Sequence, residues 1–378
     1  AEIAGWRGDR PRQIEILSDY VRRYPNDRFV QRQLAYAYLR AGRFAEARDI
    51  NERLQAVDST DVLDLLNLAS AYGGLGDPER SVRSYRRAFA LDPQRETDAI
   101  TNEEYGRDLV KAGHPEEARA TFTKMLALEP WKQARGRRSL AYLDLYAGRY
   151  GAAAEQLARA NAIHQAHKQP LSEARSRLLR SYVLAELGRT AEARAERDAI
   201  WRIFRAAYLE PTMLLWIGKS AARQGELGRA RELLDSVRAR GNAGSTDDSV
   251  AAVLLAAEVA LGEGRTAPAQ QGLMRALALD STKYVLESLA YGAERTGDLA
   301  RAAQLYARLG AGAEFGREAQ LSWQTAPYRL GRVEETRGNR GAAIIAYERF
   351  TTRWEQGDGA LVSLADARKR LTALRGSD

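Results

Sequence analysis

Small residues and glycines recur along the chain at a spacing that predicts pairs of antiparallel helices joined by tight turns. A glycine followed by a polar residue returns every 33 to 41 residues. These turn glycines are Gly8, Gly42, Gly76, Gly113, Gly148, Gly188, Gly225, Gly264, Gly297 and Gly338. Glycine supplies the backbone freedom that a sharp turn between two helices needs.

The neighbours of the last nine glycines repeat as well. Seven positions before them stand Ala35, Ala69, Gly106, Ala141, Ser181, Gly218, Ala257, Ala290 and Gly331. Five positions after them stand Ala47, Ser81, Ala118, Ala153, Ala193, Ala230, Ala269, Ala302 and Ala343. Because two helices approach closely only where their side chains are small, these positions predict the hairpin crossings.

Larger apolar residues follow on the second helix of most hairpins and are expected to fill the space between successive hairpins. They are Tyr85, Phe122, Leu157, Leu234, Leu273, Tyr306 and Tyr347. Several second helices also end at a proline, as at Tyr24-Pro25, Asp92-Pro93 and Glu129-Pro130.

This pattern resembles the tetratricopeptide repeat, a unit of about 34 residues with small residues at the crossing and a proline after the second helix. The likeness is most specific in Phe29–Leu128, where Ala69, Tyr72 and the Gly76-Asp77 turn are followed by Tyr85 and Asp92-Pro93. The resemblance implies an all-α fold: a right-handed α-α solenoid of about nine to ten hairpins with a C-terminal capping helix.

The expected organisation is a single solenoid over residues 1–378. It comprises a partial first repeat (1–28), regular repeats (29–133), longer irregular repeats (134–249), regular repeats (250–360) and a capping helix (361–378). Composition predicts a flexible loop over Arg240–Ser249 and a second, shorter glycine-rich break over Gly310–Gly316. The stretch from Pro327 to Leu371 is similar to the closing repeats of tetratricopeptide tails in bacterial Ser/Thr kinases and winged-helix regulators.

Composition narrows the functional classes. The chain is 45% hydrophobic and 29% charged, and it carries seven lysines, 51 arginines and a net charge of +8. Abundant arginine is typical of a GC-rich bacterial genome, and it also suits an acidic partner. The absence of cysteine excludes disulfides, thiolate metal sites and a cysteine nucleophile. No apolar run reaches the length of a membrane span.

No pattern points to catalysis. Of the three histidines, His164 and His167 share a helix face, yet a metal site needs more ligands, and a solvated helix end is the expected setting. The sequence has neither a phosphate-binding glycine-rich loop with Lys-Ser/Thr nor a Gly-x-Ser-x-Gly elbow. We therefore expect no enzymatic activity, no cofactor and no metal.

The resemblance implies that the first helix of each hairpin lines an inner groove. It assigns to that groove Arg32, Tyr36, Asn67, Arg107, Arg138, Tyr142, Tyr182, Trp216, Lys219, Tyr291 and Arg332. Aromatic and basic side chains suit a protein or peptide partner with acidic and apolar groups. Arg32 and Tyr36 stand where some family members clamp a peptide C-terminus with lysine and asparagine, so a free C-terminus is not expected as the ligand.

Four functions remain open at this stage. The first is a binding module, the non-catalytic sensory or regulatory part of a larger bacterial protein. The second is a periplasmic subunit of a secretion or polysaccharide-export assembly; the start at Ala1 without a methionine fits a processed or excised piece. The basic charge is a weak argument for nucleic-acid binding because the charges alternate in sign, and an enzyme is the least expected. The partner, the oligomeric state and the compartment, cytoplasm or periplasm, stay undetermined.

Overall fold

The computed structural model describes residues 10–241, 245–280, 283–312, 314–355, 357–359 and 361–376. Over these residues the protein consists of α-helices joined by short turns, with two short 3-10 segments and no strand. The predicted all-α fold of helical hairpins is therefore confirmed. The chain divides into two compact units, residues 1–136 and 137–378, and each is described by itself.

The helices of the first unit are 10 to 14 residues long, apart from a longer helix that crosses into the second unit. They are α1 (Arg10–Arg23), α2 (Arg28–Arg40), α3 (Phe44–Val57), α4 (Val62–Leu75), α5 (Pro78–Leu91), α6 (Ala99–Lys111), α7 (Pro115–Lys124) and the crossing helix α8 (Pro130–Tyr146). The 3-10 segments are Pro93–Thr97 and Met125–Ala127.

The second unit continues the same alternation. Its helices are α9 (Tyr150–Ala166), α10 (Pro170–Glu186), α11 (Thr190–Ala206), α12 (Pro211–Arg223), α13 (Leu227–Arg240), α14 (Thr246–Gly262), α15 (Thr266–Leu279), α16 (Lys283–Arg295), α17 (Leu299–Ala311), α18 (Gln320–Thr336), α19 (Arg340–Arg353) and α20 (Val362–Arg375). The last of these stands where the sequence predicts the capping helix.

The turn glycines behave as the repeat predicts. All nine from Gly42 to Gly338 have a positive φ, between 72° and 84°, which a side chain would strain. In eight of these turns the N–H of the next residue returns to the carbonyl five residues earlier, as from His114 to Leu109 at 2.8 Å. This bond closes the first helix and releases the chain into the second. The tenth glycine, Gly8, lies outside the described residues.

The small residues at the crossings are all buried, and so are the seven larger apolar residues between hairpins. A Cβ added at Gly331 would lie 2.6 Å from the ring of Tyr347, and one at Gly218 would lie 2.6 Å from Leu255. The space that these residues leave empty is thus filled by a neighbouring helix. The sequence prediction of the crossings is correct.

The second unit closes on itself, because its last helices pack against its first ones. The buried amide of Gln320, on α18, donates to the carbonyl of Tyr142 at 2.8 Å, and that of Gln324 donates to the carbonyl of Leu145 at 3.0 Å. Both carbonyls belong to α8, about 180 residues earlier in the chain. We call this contact between α8–α10 and α18–α20 the seam.

Aromatic rings pack across the seam. Tyr146 meets Phe315 edge to face, with 5.7 Å between ring centroids, and lies nearly parallel to Trp323 at 6.2 Å. Tyr150 meets Trp354 at 5.4 Å. Pairs in these geometries contribute about 0.5–1.5 kcal/mol each beyond their buried area.

Two helix caps are exchanged across the seam. Asp358 accepts a hydrogen bond of 2.6 Å from the N–H of Gly151 in the first turn of α9, where the local residue Arg149 supplies no side-chain cap. In return, Glu186 accepts from the N–H and the hydroxyl of Ser363 in the first turn of α20. Each carboxylate satisfies a helix N-terminus that its own sequence neighbours leave open.

None of the described helices is long and apolar enough to span a membrane.

Candidate functional site

The second unit contains a cavity of about 580 Å³ that is partly open to solvent. Its wall is built mainly from the first helices of five hairpins, α8, α10, α12, α16 and α18, joined by Tyr150 from α9 and Tyr306 from α17. The predicted inner position of the first helices is therefore observed for these five. The volume lies within the range of sites that enclose small ligands.

Six of the residues predicted for the groove line this one cavity. They are Tyr142, Tyr182, Trp216, Lys219, Tyr291 and Arg332. They come from five helices, and the longest separation along the chain is 190 residues. Arg138, the remaining predicted residue of this unit, is buried on α8 and is not part of the cavity wall.

The predicted residues of the first unit are in different settings. Arg32 forms ion pairs with Asp61 and Asp64 at the start of α4, so its guanidinium is already occupied. Arg107 lies 3.5 Å from the carboxylate of Glu104. Tyr36 is half exposed on α2.

Asn67, the fourth predicted residue of the first unit, is partly buried on α4. In this unit the sequence predicts which side chains lie on the inner face of a first helix. The structure shows that two of them, Arg32 and Arg107, lie next to carboxylates of the same unit.

One wall of the cavity carries a buried network of ion pairs. Lys219 binds Glu287, and Arg223 binds both Glu287 and Glu258 at 2.6 Å. Glu258 lies on α14, behind the wall, and is almost completely buried. Two cations and two carboxylates balance, so this network contributes no surplus charge.

Burial and pairing shift the pKa values of this network in a consistent way. Burial alone would raise the pKa of Glu287, but Arg223 and Lys219 hold it well below its ordinary value. Burial lowers the pKa of Lys219, and Glu287 opposes that effect. Burial would also lower the pKa of Arg223, but Glu258 and Glu287 raise it well above its ordinary value. Glu287 and Arg223 are therefore charged near neutral pH.

The network holds aromatic rings in place at the cavity wall. The guanidinium of Arg223 lies 4.0 Å from the ring centroid of Tyr291, and the ammonium of Lys219 lies 5.4 Å from that of Trp216. Trp216 also packs edge to face against Tyr284. Such contacts between cations and rings restrict ring motion and pre-organise the aromatic surface.

A second wall has a surplus of positive charge. Arg329 and Arg332 lie one turn apart on α18, and Arg295 ends α16. Among the described residues, the carboxylate nearest to this group is that of Glu294, 4.0 Å from Arg329, and it also accepts a hydrogen bond from Tyr306 at 2.7 Å. Arg332 also acts on Asp366: burial would raise the pKa of that carboxyl, but hydrogen bonds from Arg370 and Tyr328 and the charges of Arg370 and Arg332 lower it. The three guanidinium groups thus have fewer carboxylates than cations around them.

The charges of the whole wall agree with this asymmetry. Six cationic residues line the cavity: Arg175, Lys219, Arg223, Arg295, Arg329 and Arg332. Four acidic residues do so: Glu186, Glu287, Glu294 and Glu318. Glu258 pairs with Arg223 from behind the wall, so the six cations face five carboxylates and the surplus is one positive charge.

Tyr150 provides an unused hydrogen-bond donor. The residue is completely buried at the cavity wall, and its hydroxyl has no hydrogen-bond partner in the part of the chain that the structure describes. Burial, and then the charge of Glu186, raise the pKa of Tyr150 well above its ordinary value. The hydroxyl therefore stays protonated and needs an acceptor.

The expected setting of one histidine is wrong. His164 is buried rather than solvated, with its Nδ1 2.9 Å from the side-chain oxygen of Gln169. Burial lowers the pKa of His164. The helix end was expected to be solvated, but Gln169, just before α10, and Glu173, in its first turn, lie near the His164 ring. Across the described ranges, no three His, Cys, Asp or Glu side chains come together as a metal site.

Part of this site was missed in the sequence. Arg223 follows Lys219 by four residues and so lies on the same helix face. Since Lys219 was assigned to the groove, this spacing could have identified Arg223 as well. Glu287 and Glu258 are 64 and 35 residues away from Arg223, and the repeat does not mark them. Tyr150 was missed because it lies on a second helix, which the resemblance does not place on the inner face.

These hairpins, with their left-handed turn glycines and small crossing residues, define a helical repeat protein. The family model for the tetratricopeptide repeat matches residues 65–95, which cover most of α4, all of α5 and the proline after it. The chain therefore contains a tetratricopeptide repeat at residues 65–95. No curated protein matches it.

Several solved structures resemble parts of the chain. A thermophilic tetratricopeptide-repeat protein of Thermus thermophilus is 23% identical and covers 46% of this chain and 89% of its own, with a TM-score of 0.38. A tetratricopeptide-repeat protein of Parabacteroides merdae is 18% identical. The match covers 67% of this chain and 95% of that protein, with a TM-score of 0.45. A human IFIT1 dimer with PPP-AAAA is 16% identical. The match covers 97% of this chain and 85% of that protein, with a TM-score of 0.48.

Proposed function

We propose that the protein is a non-catalytic interaction module, and that the cavity of its second unit binds an acidic and apolar group of a partner. The observation that carries this proposal is the convergence of aromatic and cationic side chains on one cavity. Aromatic residues and arginine supply most of the binding energy at protein interfaces. The surplus of positive charge favours a negatively charged group.

Pre-organisation supports the same proposal. The rings of Trp216 and Tyr291 are held by cations whose own charges are neutralised by Glu258 and Glu287. A ligand therefore meets an aromatic surface that is already ordered, and little side-chain entropy is lost on binding.

We further propose that the chain is the sensory or regulatory part of a larger bacterial protein. The similarity of the stretch from Pro327 to Leu371 to the tails of bacterial kinases and winged-helix regulators supports this context. A periplasmic role in secretion or export is the alternative. The sequence upstream of Ala1 in the gene separates the two, since a kinase or DNA-binding domain supports the first and a signal peptide supports the second.

The binding proposal is tested by selecting ligands for the full chain from a displayed library of peptides of about twelve residues. We expect the selected peptides to combine acidic and aromatic residues and to lose binding to Trp216→Ala. Trp131→Ala, which changes a tryptophan outside the cavity, is the matched control. Selected peptides that bind Trp216→Ala as tightly as the wild type would move the site away from the cavity.

A further inference from the structure

The geometry of the second unit points to a site for a small organic anion with a planar ring. We propose that such a compound, for which an aromatic carboxylate is the simplest representative, occupies the cavity of this unit. The proposal rests on the proposed function only in taking this cavity as the binding surface. It differs in the size and source of the ligand.

Closure of the seam limits what can enter. The amides of Gln320 and Gln324 and the carboxylate of Asp358 join the two ends of the unit, so the inner surface does not continue past the seam. A sphere of about 580 Å³ is about 10 Å across, the length of about three residues of extended chain. A compact ligand fits wholly within this space, whereas a long peptide places only a few of its side chains there.

Each of the two walls suits a different part of the ligand. Tyr182, Trp216 and Tyr291 present aromatic surface from α10, α12 and α16, which suits a planar ring. Arg329 and Arg332 stand on α18 with Glu294 as the nearest carboxylate among the described residues, which suits an anionic group.

The inner network excludes a cation as the ligand. Lys219 and Arg223 already lie on the rings of Trp216 and Tyr291. A cationic ligand would find these rings already occupied by cations, whereas an anion would meet the arginines of α18.

Tyr150 is the second, independent indication of a polar ligand. Its buried hydroxyl is a donor at the cavity wall without a partner among the described residues. A buried donor left unpaired costs about 1–3 kcal/mol, and an acceptor on the ligand removes that cost.

The experiment is isothermal titration of the full chain with three aromatic carboxylates (indole-3-acetate, phenylacetate and 4-hydroxyphenylacetate), their neutral amides and acetate. We expect at least one aromatic carboxylate to bind, its amide to bind at least tenfold more weakly, and acetate not to bind at the same concentration. Arg332→Gln is expected to weaken the carboxylate at least tenfold. Arg238→Gln, which removes an exposed arginine on α13, is expected to leave it unchanged.

Two outcomes overturn the inference. If a carboxylate and its amide bind equally well, the negative charge does not contribute to binding. If Arg332→Gln binds the carboxylate as tightly as the wild type, the anionic group lies elsewhere. A third arm separates the ligand sources: a capped twelve-residue peptide with a central Asp-Trp is titrated in parallel. If that peptide binds in a manner sensitive to Trp216→Ala and none of the carboxylates binds, the small-molecule site is wrong and the proposed protein-binding function stands. If no probe binds, the small-molecule inference is wrong, and the peptide selection decides the proposed function alone.

Discussion

Replacement of Asp358 by alanine should loosen the seam of the second unit. The Asp358 carboxylate accepts a hydrogen bond of 2.6 Å from the N–H of Gly151, and its backbone N–H donates to the carbonyl of Gly148 at 2.9 Å. The substitution removes the first bond and keeps the second. It therefore isolates the cap that α9 receives from a residue 207 positions later.

The expected cost follows from the position of the carboxylate. Loss of a capping side chain costs typically about 1 kcal/mol, within a range of about 0.5–2 kcal/mol. The negative charge at the positive end of α9 adds roughly 0.3–1 kcal/mol. For a unit of this size, each kcal/mol lowers the melting temperature by about 2–4 °C.

Differential scanning calorimetry of the full chain measures the transition of the second unit, and hydrogen exchange at Gly151 reports the cap directly. We expect a lower melting temperature and faster exchange of that amide in Asp358→Ala. Asp358→Asn should lie between the variant and the wild type, because an amide oxygen still accepts the bond. Asp235→Ala, which alters an exposed carboxylate on α13, is the control.

The exchanged cap gives a sharper test. Glu186→Ala removes the cap of α20, and if both caps hold one seam, the double variant should lose less than the sum of the two single losses. Strict additivity would mean that the two contacts act independently. An unchanged melting temperature together with unchanged exchange at Gly151 would refute the exchanged-cap interpretation.

Two further predictions follow from buried positions. Ala118→Leu places a large side chain at a fully buried crossing, so the first unit should lose about 1–3 kcal/mol, seen as a lower melting temperature; an unchanged value would contradict the helix alignment. The pKa of Glu287 is lower in the folded than in the unfolded chain, so its stabilisation is present above a pH of about 4.3 and is lost as the pH falls below that value. Glu287→Gln leaves Lys219 and Arg223 short of a partner, so it should be less stable at pH 7 and should lose less additional stability between pH 5 and pH 3; parallel acid curves for variant and wild type would argue against this assignment.

Much of the candidate site could be predicted because the repeat fixes which helix faces inward. The family resemblance assigned Tyr182, Trp216 and Tyr291 to the inner surface, and all three line the cavity. Arg138 was assigned in the same way but is buried within its hairpin, because the repeat phase gives the direction of a side chain and not the depth of its neighbours.

The setting of charged residues was beyond the repeat. Whether an arginine faces a ligand or a carboxylate depends on partners from other hairpins. Arg32 is occupied by Asp61 and Asp64 of the next hairpin, whereas Arg332 remains beside a cavity with surplus positive charge. Sequence spacing alone treats these two residues alike.

The amino-acid sequence by itself determined the hairpins. A positive φ at Gly42 or Gly338 and the close crossing at Ala118 or Gly331 are local requirements, so they leave a regular trace along the chain. Because most of the stability of such arrays comes from interactions between neighbouring repeats, the same requirements recur in each repeat and can be recognised in the sequence.

Only the tertiary structure decided that the second unit closes into a ring around a cavity. The bonds from Gln320 to Tyr142 and from Asp358 to Gly151 join positions 178 and 207 residues apart. Such contacts depend on the sum of small rotations between many hairpins. A single pair of residues leaves no periodic signal in the sequence. The repeat therefore predicts which residues line the cavity, whereas the meeting of the first and last helices at the seam is seen only in the tertiary structure.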